Sequence, residues 1–262
     1  MKHAAEVPQG RTRFGESGPR VILSHCSLGH SGAWKPLVAA LPPVEAIGLD
    51  LPGHGGSGVD PSRSLQRQGA DAVLAELADG PAHLIGHSFG ARVVLRAALD
   101  RPDRVLSLTL IEPMMFHLLD DADDPLFAEE EAASLPWVAA VQSGDLDGAA
   151  AAFTALWGDG TPWAQVPERQ RAYLRDRLGF VGGAGPDVMG HPPGQITLED
   201  IAGLSVPLTL LSGAETRAGA TAICHLISRG TGAQHHVIPG AGHMLPITHP
   251  EPVAVYLAKV LV

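Results

Sequence analysis

The chain has 262 residues, of which 45% are hydrophobic and 18% charged, enough for one large α/β domain with an insertion and a sizeable core. Its formal net charge of −10 argues against nucleic acid or an anionic membrane surface as partner. No apolar run approaches the roughly 18 residues of a membrane span, and Met1 to Pro8 lacks the apolar core of a secretory signal.

Two cysteines, Cys26 and Cys224, make neither a disulfide framework nor a metal-ligand spacing, so a reducing cytoplasm is the expected location. In chain order, an antiparallel entry strand is expected around Glu6 to Gly15. Short apolar strands follow at Val21 to His25, Val44 to Asp50, Ala82 to Ile85, Val105 to Ile111, Val206 to Leu211 and His236 to Ile238. Near-continuous apolar runs of this length suit a parallel sheet buried on both faces. Helical patterns lie between them at Ala33 to Leu41, Leu65 to Ala78, Phe89 to Leu99, Gly219 to Ile227 and Pro252 to Leu261. Such alternation predicts a doubly wound α/β fold.

From about Pro113 to Ser205 the strand signals stop. Helical segments are expected at Pro125 to Ser143, Asp145 to Trp157 and Glu168 to Phe180, followed by a glycine- and proline-rich run, Gly182 to Gly194. An Ala-rich helical block between two strands reads as a lid over the carboxyl end of the sheet. The division is therefore a core of residues 1–112 and 206–262 with a lid of 113–205.

Gly86-His87-Ser88-Phe89-Gly90 joins a buried strand to a helix. A serine on so sharp a turn is forced into a strained conformation with its hydroxyl exposed, and glycines two residues to either side remove colliding side chains. A serine nucleophile needs a base, an acid to orient that base, and donors for the oxyanion. The base candidate is His243, in Pro239-Gly240-Ala241-Gly242-His243, on a glycine-rich loop directly after the last strand. The other histidines at 83, 117, 235, 236 and 249 lack that combination.

With these pieces together the chain resembles the α/β-hydrolase superfamily over essentially its whole length. His25-Cys26-Ser27-Leu28-Gly29 followed by Trp34 resembles the family's oxyanion loop, and Asp50-Leu51-Pro52-Gly53-His54-Gly55-Gly56-Ser57 the turn after its fourth strand. Gly86 to Gly90 matches the nucleophile elbow and Gly240 to His243 the histidine loop. The resemblance implies a mostly parallel sheet of about eight strands, an inserted lid and a hydrolytic tendency. It also implies backbone donors at Phe89 and Ser27 for the oxyanion. Cys26 stands where glycine is usual and is read as a small buried side chain.

Family members usually carry an aspartate shortly after the strand that follows the lid. Here that position is Thr216, in Ser212-Gly213-Ala214-Glu215-Thr216. Two carboxylates remain: Glu215, one position off, and Glu112, which ends the strand before the lid and is preferred because some superfamily members place the acid there. Leu28, Phe89, Phe116, His117, Trp137 and Met244 are expected to line the substrate pocket, and Arg92 to lie on a helix surface.

The resulting expectation is a cofactor- and metal-independent serine hydrolase acting on a small or medium ester, thioester or lactone. Two alternatives stay open: carbon–carbon cleavage or lyase chemistry on the same machinery, and a non-catalytic ligand-binding protein. The sequence carries no signal for oligomeric state.

Overall fold

Strand residues of this chain are apolar at consecutive positions, so each strand must bury both faces, and the pleat sends neighbours to opposite sides. A computed structural model describes residues 9–261. It shows this division directly: Ile22, Ile47, Leu49, Leu84, Leu108, Leu110 and Leu210 enter one core. Val21, Leu23, Ala46, Ile85, Ile111 and Leu211 enter the other.

The strands are β1 (Arg11–Phe14), β2 (Arg20–Ser24), β3 (Glu45–Leu49), β4 (Ala82–His87), β5 (Val105–Ile111), β6 (Leu208–Gly213) and β7 (Gln234–Ile238). They form one sheet in the order β1-β3-β2-β4-β5-β6-β7. β1 runs antiparallel to β3 and every other pairing is parallel. The described residues therefore hold seven strands rather than the expected eight, because a single antiparallel strand precedes β2. Of the expected entry segment, residues 6–8 lie outside the described residues.

The helices are α1 (Lys35–Ala40), α2 (Leu65–Leu77), α3 (Phe89–Asp100), α4 (His117–Asp121), α5 (Leu126–Ser143), α6 (Leu146–Trp157), α7 (Glu168–Arg175), α8 (Leu178–Met189), α9 (Leu198–Ala202), α10 (Ala218–Thr231), α11 (Leu245–Thr248) and α12 (Pro250–Val260). Residues of α2, α3 and α10 fill the first core. Those of α1, α11 and α12 fill the second.

Six helices, α4 to α9, lie between β5 and β6. Local chemistry fixes several of their ends. Gly144 closes α5 with φ of 81°, the Asp145 side chain caps α6 by accepting from Gly148 N–H, and Thr197 and Asp200 form a capping box on α9. The glycine- and proline-rich run begins inside a helix, since α8 spans Leu178–Met189. Phe180 and Ala184 of α8 are buried in the main core, and such tertiary burial outweighs the poor helix propensity of glycine. A third cluster joins Ala149, Ala150, Val166, Leu174 and Leu178 to Leu28 of the loop after β2. Among the described residues no helix is long and apolar enough to cross a membrane.

Candidate active site

Every parallel strand ends at the same rim, so loops after β2, β4, β5, β6 and β7 converge there. Ser88 follows β4 with φ of 59° and ψ of −120°, a conformation that strains any residue with a Cβ. The turn tolerates only glycine at its flanks. A Cβ on Gly90 would overlap the Ser24 and His25 carbonyls of the β2 end, and one on Gly86 would overlap the Gly90 carbonyl. The Ser88 N–H is held by the Ile111 carbonyl at 2.9 Å. Its hydroxyl has no protein hydrogen-bond partner among the described residues and opens, with His243, onto one cavity of about 430 Å³.

Glu112 is fully buried, with φ of 43°, at the end of β5. Its Oε2 lies 2.6 Å from His243 Nδ1. The same oxygen accepts from the Thr216 hydroxyl at 2.8 Å, and Oε1 accepts from Gly213 N–H at 2.7 Å. A carboxylate buried without partners would be costly; this one takes three donors. Thr216, at the position where the resemblance led an aspartate to be expected, thus donates to a carboxylate supplied from the neighbouring strand. Glu215 is exposed, and its side chain makes no hydrogen bond to His243.

The loop after β2 is braced by two buried imidazoles. His25 Nε2 accepts from Leu51 N–H at 3.0 Å while its Nδ1–H donates to the Cys26 carbonyl at 2.7 Å. His54 Nε2 accepts from Leu28 N–H at 3.0 Å and its Nδ1–H donates to the Pro52 carbonyl at 3.0 Å. Burial pushes His25 down to about 3 and His54 down to about 4. Both rings are therefore neutral, as their acceptor nitrogens require. Asp50 adds bonds from Ser31 N–H at 2.6 Å and Gly56 N–H at 2.9 Å. The backbone N–H groups of Ser27 and Phe89, both on residues lining the cavity, have no protein acceptor among the described residues. Cys26 lines the same wall, and burial pushes its thiol up to about 12, which keeps it protonated.

The remaining wall is mainly apolar: Met114 and Phe116 after β5, Trp137, Val138 and Val141 of α5, Phe153 and Trp157 of α6, Val181, Val188 and Met189 of α8, and Met244; Glu130, Ser134 and Gln142 of α5 are its polar members. Phe89, Phe116, Trp137 and Met244 lie where the sequence reading put them. Leu28 and His117 do not. Leu28 turns into the third cluster, with φ of 62° set by the brace on its N–H. His117 is fully buried beneath the wall, its Nε2 bonded to the Ile196 carbonyl at 2.8 Å. Arg92 is likewise no surface residue. It is fully buried, and its Nη2 donates to Gln66 Oε1 at 2.8 Å and Gln195 Oε1 at 2.6 Å.

Two contributors escaped sequence reasoning: Glu130, which lines the cavity and pairs with Arg217 at 2.6 Å, and His87, which packs beside His243. Trp157, for which packing between lid and core was the preferred expectation over a place in the pocket, lines the cavity with its ring 5.0 Å from that of His243. Helical periodicity could have decided for the pocket, since Trp157 ends the apolar stripe of α6. No group of three or more His, Cys, Asp or Glu among the described residues is spaced to hold a metal ion.

Comparison with known proteins agrees with this architecture. A pimeloyl-[acyl-carrier protein] methyl ester esterase of Methylococcus capsulatus is 31% identical over 252 residues, 89% of this chain and 91% of the relative. A 2-succinyl-6-hydroxy-2,4-cyclohexadiene-1-carboxylate synthase of Enterobacter sp. is 28% identical over 268 residues, 97% of this chain and 96% of the relative. A hydrolase from Pseudomonas aeruginosa superposes with a TM-score of 0.75 at 22% identity, covering 100% of this chain and 97% of that one. The profile of the alpha/beta hydrolase family matches residues 21–255, and with a strand-to-helix serine turn at the centre of a mostly parallel sheet the chain belongs to that family.

Proposed function

We propose that the protein is a serine hydrolase that cleaves a small or medium ester, thioester or lactone through an acyl-enzyme. The observation that carries this reading is the 2.6 Å bond between His243 Nδ1 and Glu112 Oε2, with His243 and Ser88 lining the same cavity. With Nδ1–H committed to the carboxylate, Nε2 is the free lone pair, the tautomer that a general base for Ser88 needs. Catalytic hydrogen bonds to a nucleophile often tighten only once substrate is bound.

In the first step Ser88 Oγ attacks the carbonyl carbon and His243 Nε2 takes the hydroxyl proton. Negative charge on the carbonyl oxygen is met by the N–H groups of Phe89 and Ser27, each worth about 3 kcal/mol in a transition state of this kind. Phe89 also opens α3, whose dipole favours an anion. As the C–O bond to the leaving group breaks, His243 returns its proton to the departing oxygen. Water then attacks the acyl-enzyme with His243 again as base, releasing the acid and restoring Ser88. Glu112 holds the imidazole and stabilises its cationic form throughout.

The apolar wall and the 430 Å³ volume suit an acyl chain of modest length. The helices α4 to α9 act as a lid: they supply most of that wall, and the Tyr173 hydroxyl of α7 donates to the Gly29 carbonyl at 2.7 Å, tying the lid to the oxyanion loop. The esterase relative supports ester hydrolysis. The synthase relative supports a second reading, in which the same serine, base and oxyanion donors abstract a proton and expel a leaving group. A fluorophosphonate probe together with a panel of nitrophenyl esters of rising chain length tests the main reading. Wild-type protein should be labelled and turn over esters, and Ser88→Ala should do neither. A folded wild type that resists labelling and hydrolyses no ester refutes it.

A further inference from the structure

The histidine loop starts at β7, an outer strand, yet His243 works above β5 and β4, two and three strands away. To get there residues 239–243 cross the ends of β6 and β5. At β6 the loop is tightly held: Glu215 N–H bonds the Ala241 carbonyl at 2.8 Å, and a Cβ on Gly213 would overlap that carbonyl. At β5 Glu112 holds the imidazole by Nδ1. Held only there, the ring could swing about the Nδ1···Oε2 line, carrying Nε2 away from Ser88.

A third hold lies at β4. His87, the residue immediately before the nucleophile, is buried, and its Nε2 lies 2.9 Å from the His243 carbonyl oxygen. We propose that His87 is a positioning residue: its Nε2–H bond to the His243 carbonyl ties the backbone of the base to the strand end that carries the nucleophile. The proposal rests on the serine-hydrolase reading and adds a residue to it.

Three features support the assignment. A carbonyl oxygen only accepts, so His87 must carry its proton on Nε2, which leaves one tautomer. The imidazole rings are 4.8 Å apart with a 43° tilt, and Trp157 stands 5.0 Å away from His243, so the base ring is flanked by two aromatic contacts. Finally, burial and the neighbouring His243 hold His87 well below the usual histidine range, so it stays neutral. A cationic ring at that distance would oppose the imidazolium that His243 becomes in each half-reaction.

The consequence is geometric. Because β4 carries both Ser88 and the His87 anchor, any displacement of the strand end moves nucleophile and base together. A misplacement of about 1 Å in such a pair costs on the order of 100-fold in rate.

Two substitutions test the bond. His87→Met keeps apolar volume without a donor, whereas His87→Gln retains an N–H on a side chain long enough to reach. The positioning role requires kcat to fall 10- to 100-fold in His87→Met with KM changed less than threefold, and to recover to within fivefold of wild type in His87→Gln. The low-field proton resonance of the His243 Nδ1–H···Glu112 bond, identified by its absence from His243→Gln, should broaden or move in His87→Met and return in His87→Gln. Should His87→Met fail to fold, His87→Asn, whose amide stops one methylene short, takes its place in the same comparison. The proposal is overturned if the donor-free variant matches wild type, if both variants lose kcat equally, or if only KM changes. A wild type that is neither labelled by fluorophosphonate nor active on esters refutes the hydrolase reading instead, and the resonance still decides whether the anchor exists.

Discussion

Replacing Glu112 by glutamine probes the site most directly, because the structure dictates which way the new amide must face. Gly213 N–H donates to Oε1 at 2.7 Å. An NH₂ group placed there would set two donors against each other in a fully buried position, leaving both unpaired at about 1–3 kcal/mol each. The amide oxygen therefore takes the Oε1 place and the NH₂ turns to the Oε2 place, where it meets the Thr216 hydroxyl and His243 Nδ1. The hydroxyl can rotate to accept. His243 Nδ1 can accept only by giving up its proton, which moves the hydrogen to Nε2, the atom that receives the serine proton in the proposed mechanism. The expected result is loss of about 10⁴ in kcat, the size seen when a triad acid is made neutral without moving it, or about 5 kcal/mol of transition-state stabilisation. Stopped-time hydrolysis of a nitrophenyl ester, paired with the rate of fluorophosphonate labelling, measures it. Glu112→Gln activity within tenfold of wild type, with Glu215→Gln collapsing turnover, would refute the assignment.

Three further outcomes follow from the same contacts. Thr216 touches the oxygen that His243 uses, so in Glu112→Gly/Thr216→Asp a carboxylate should regain at least tenfold in kcat over Glu112→Gly alone. No gain would mean that position 216 cannot reach the ring. His54 is neutral in the fold with its value at about 4, against about 6.5 in an unfolded chain, so the unfolded state takes up protons first as pH falls. Its contribution is whole above pH 6.5 and shrinks by roughly 2.5 kcal/mol by pH 4.5. Denaturant titrations should show that loss in wild type and a shallower one in His54→Gln, and equal slopes would contradict it. On α8 a Cβ at Gly183 would meet only Leu65 Cδ1, at 3.4 Å. Gly183→Ala should then gain about 1 kcal/mol of helix propensity and raise the thermal midpoint by about 2–4 °C, whereas a lower midpoint would show that the helix needs the glycine.

The core was legible because burial on two faces writes itself as runs of Val, Ile and Leu. All six apolar segments from Val21 to Ile238 became parallel strands within two residues of their expected ends. The serine turn was legible for a steric reason: Gly86 and Gly90 are demanded by backbone atoms, and such demands leave few substitutes. Residues that act through shape at a distance were not. Leu28 was expected in the pocket, yet with φ of 62° its side chain packs into the third cluster instead. Arg92 carried a charge that reads as surface, yet the glutamines at 66 and 195, one of them 103 positions away, accept from it in its buried place, with Asp187 as a nearby opposite charge. The helicity of residues 182–189 was hidden for a related cause: its stabilisation comes from packing partners rather than from its own glycines.

β7 contacts the sheet along one side only, through β6, and its residues are less covered than those of any inner parallel strand. Local opening concentrates where such coverage is thin. His243, the proposed base, follows this peripheral ribbon in the chain, while Ser88, the proposed nucleophile, sits at the end of β4 in the best-protected part of the sheet. On mild heating, turnover should thus vanish while far-ultraviolet dichroism still reports an intact sheet, so that loss of activity marks the detachment of one margin and not the melting of the whole.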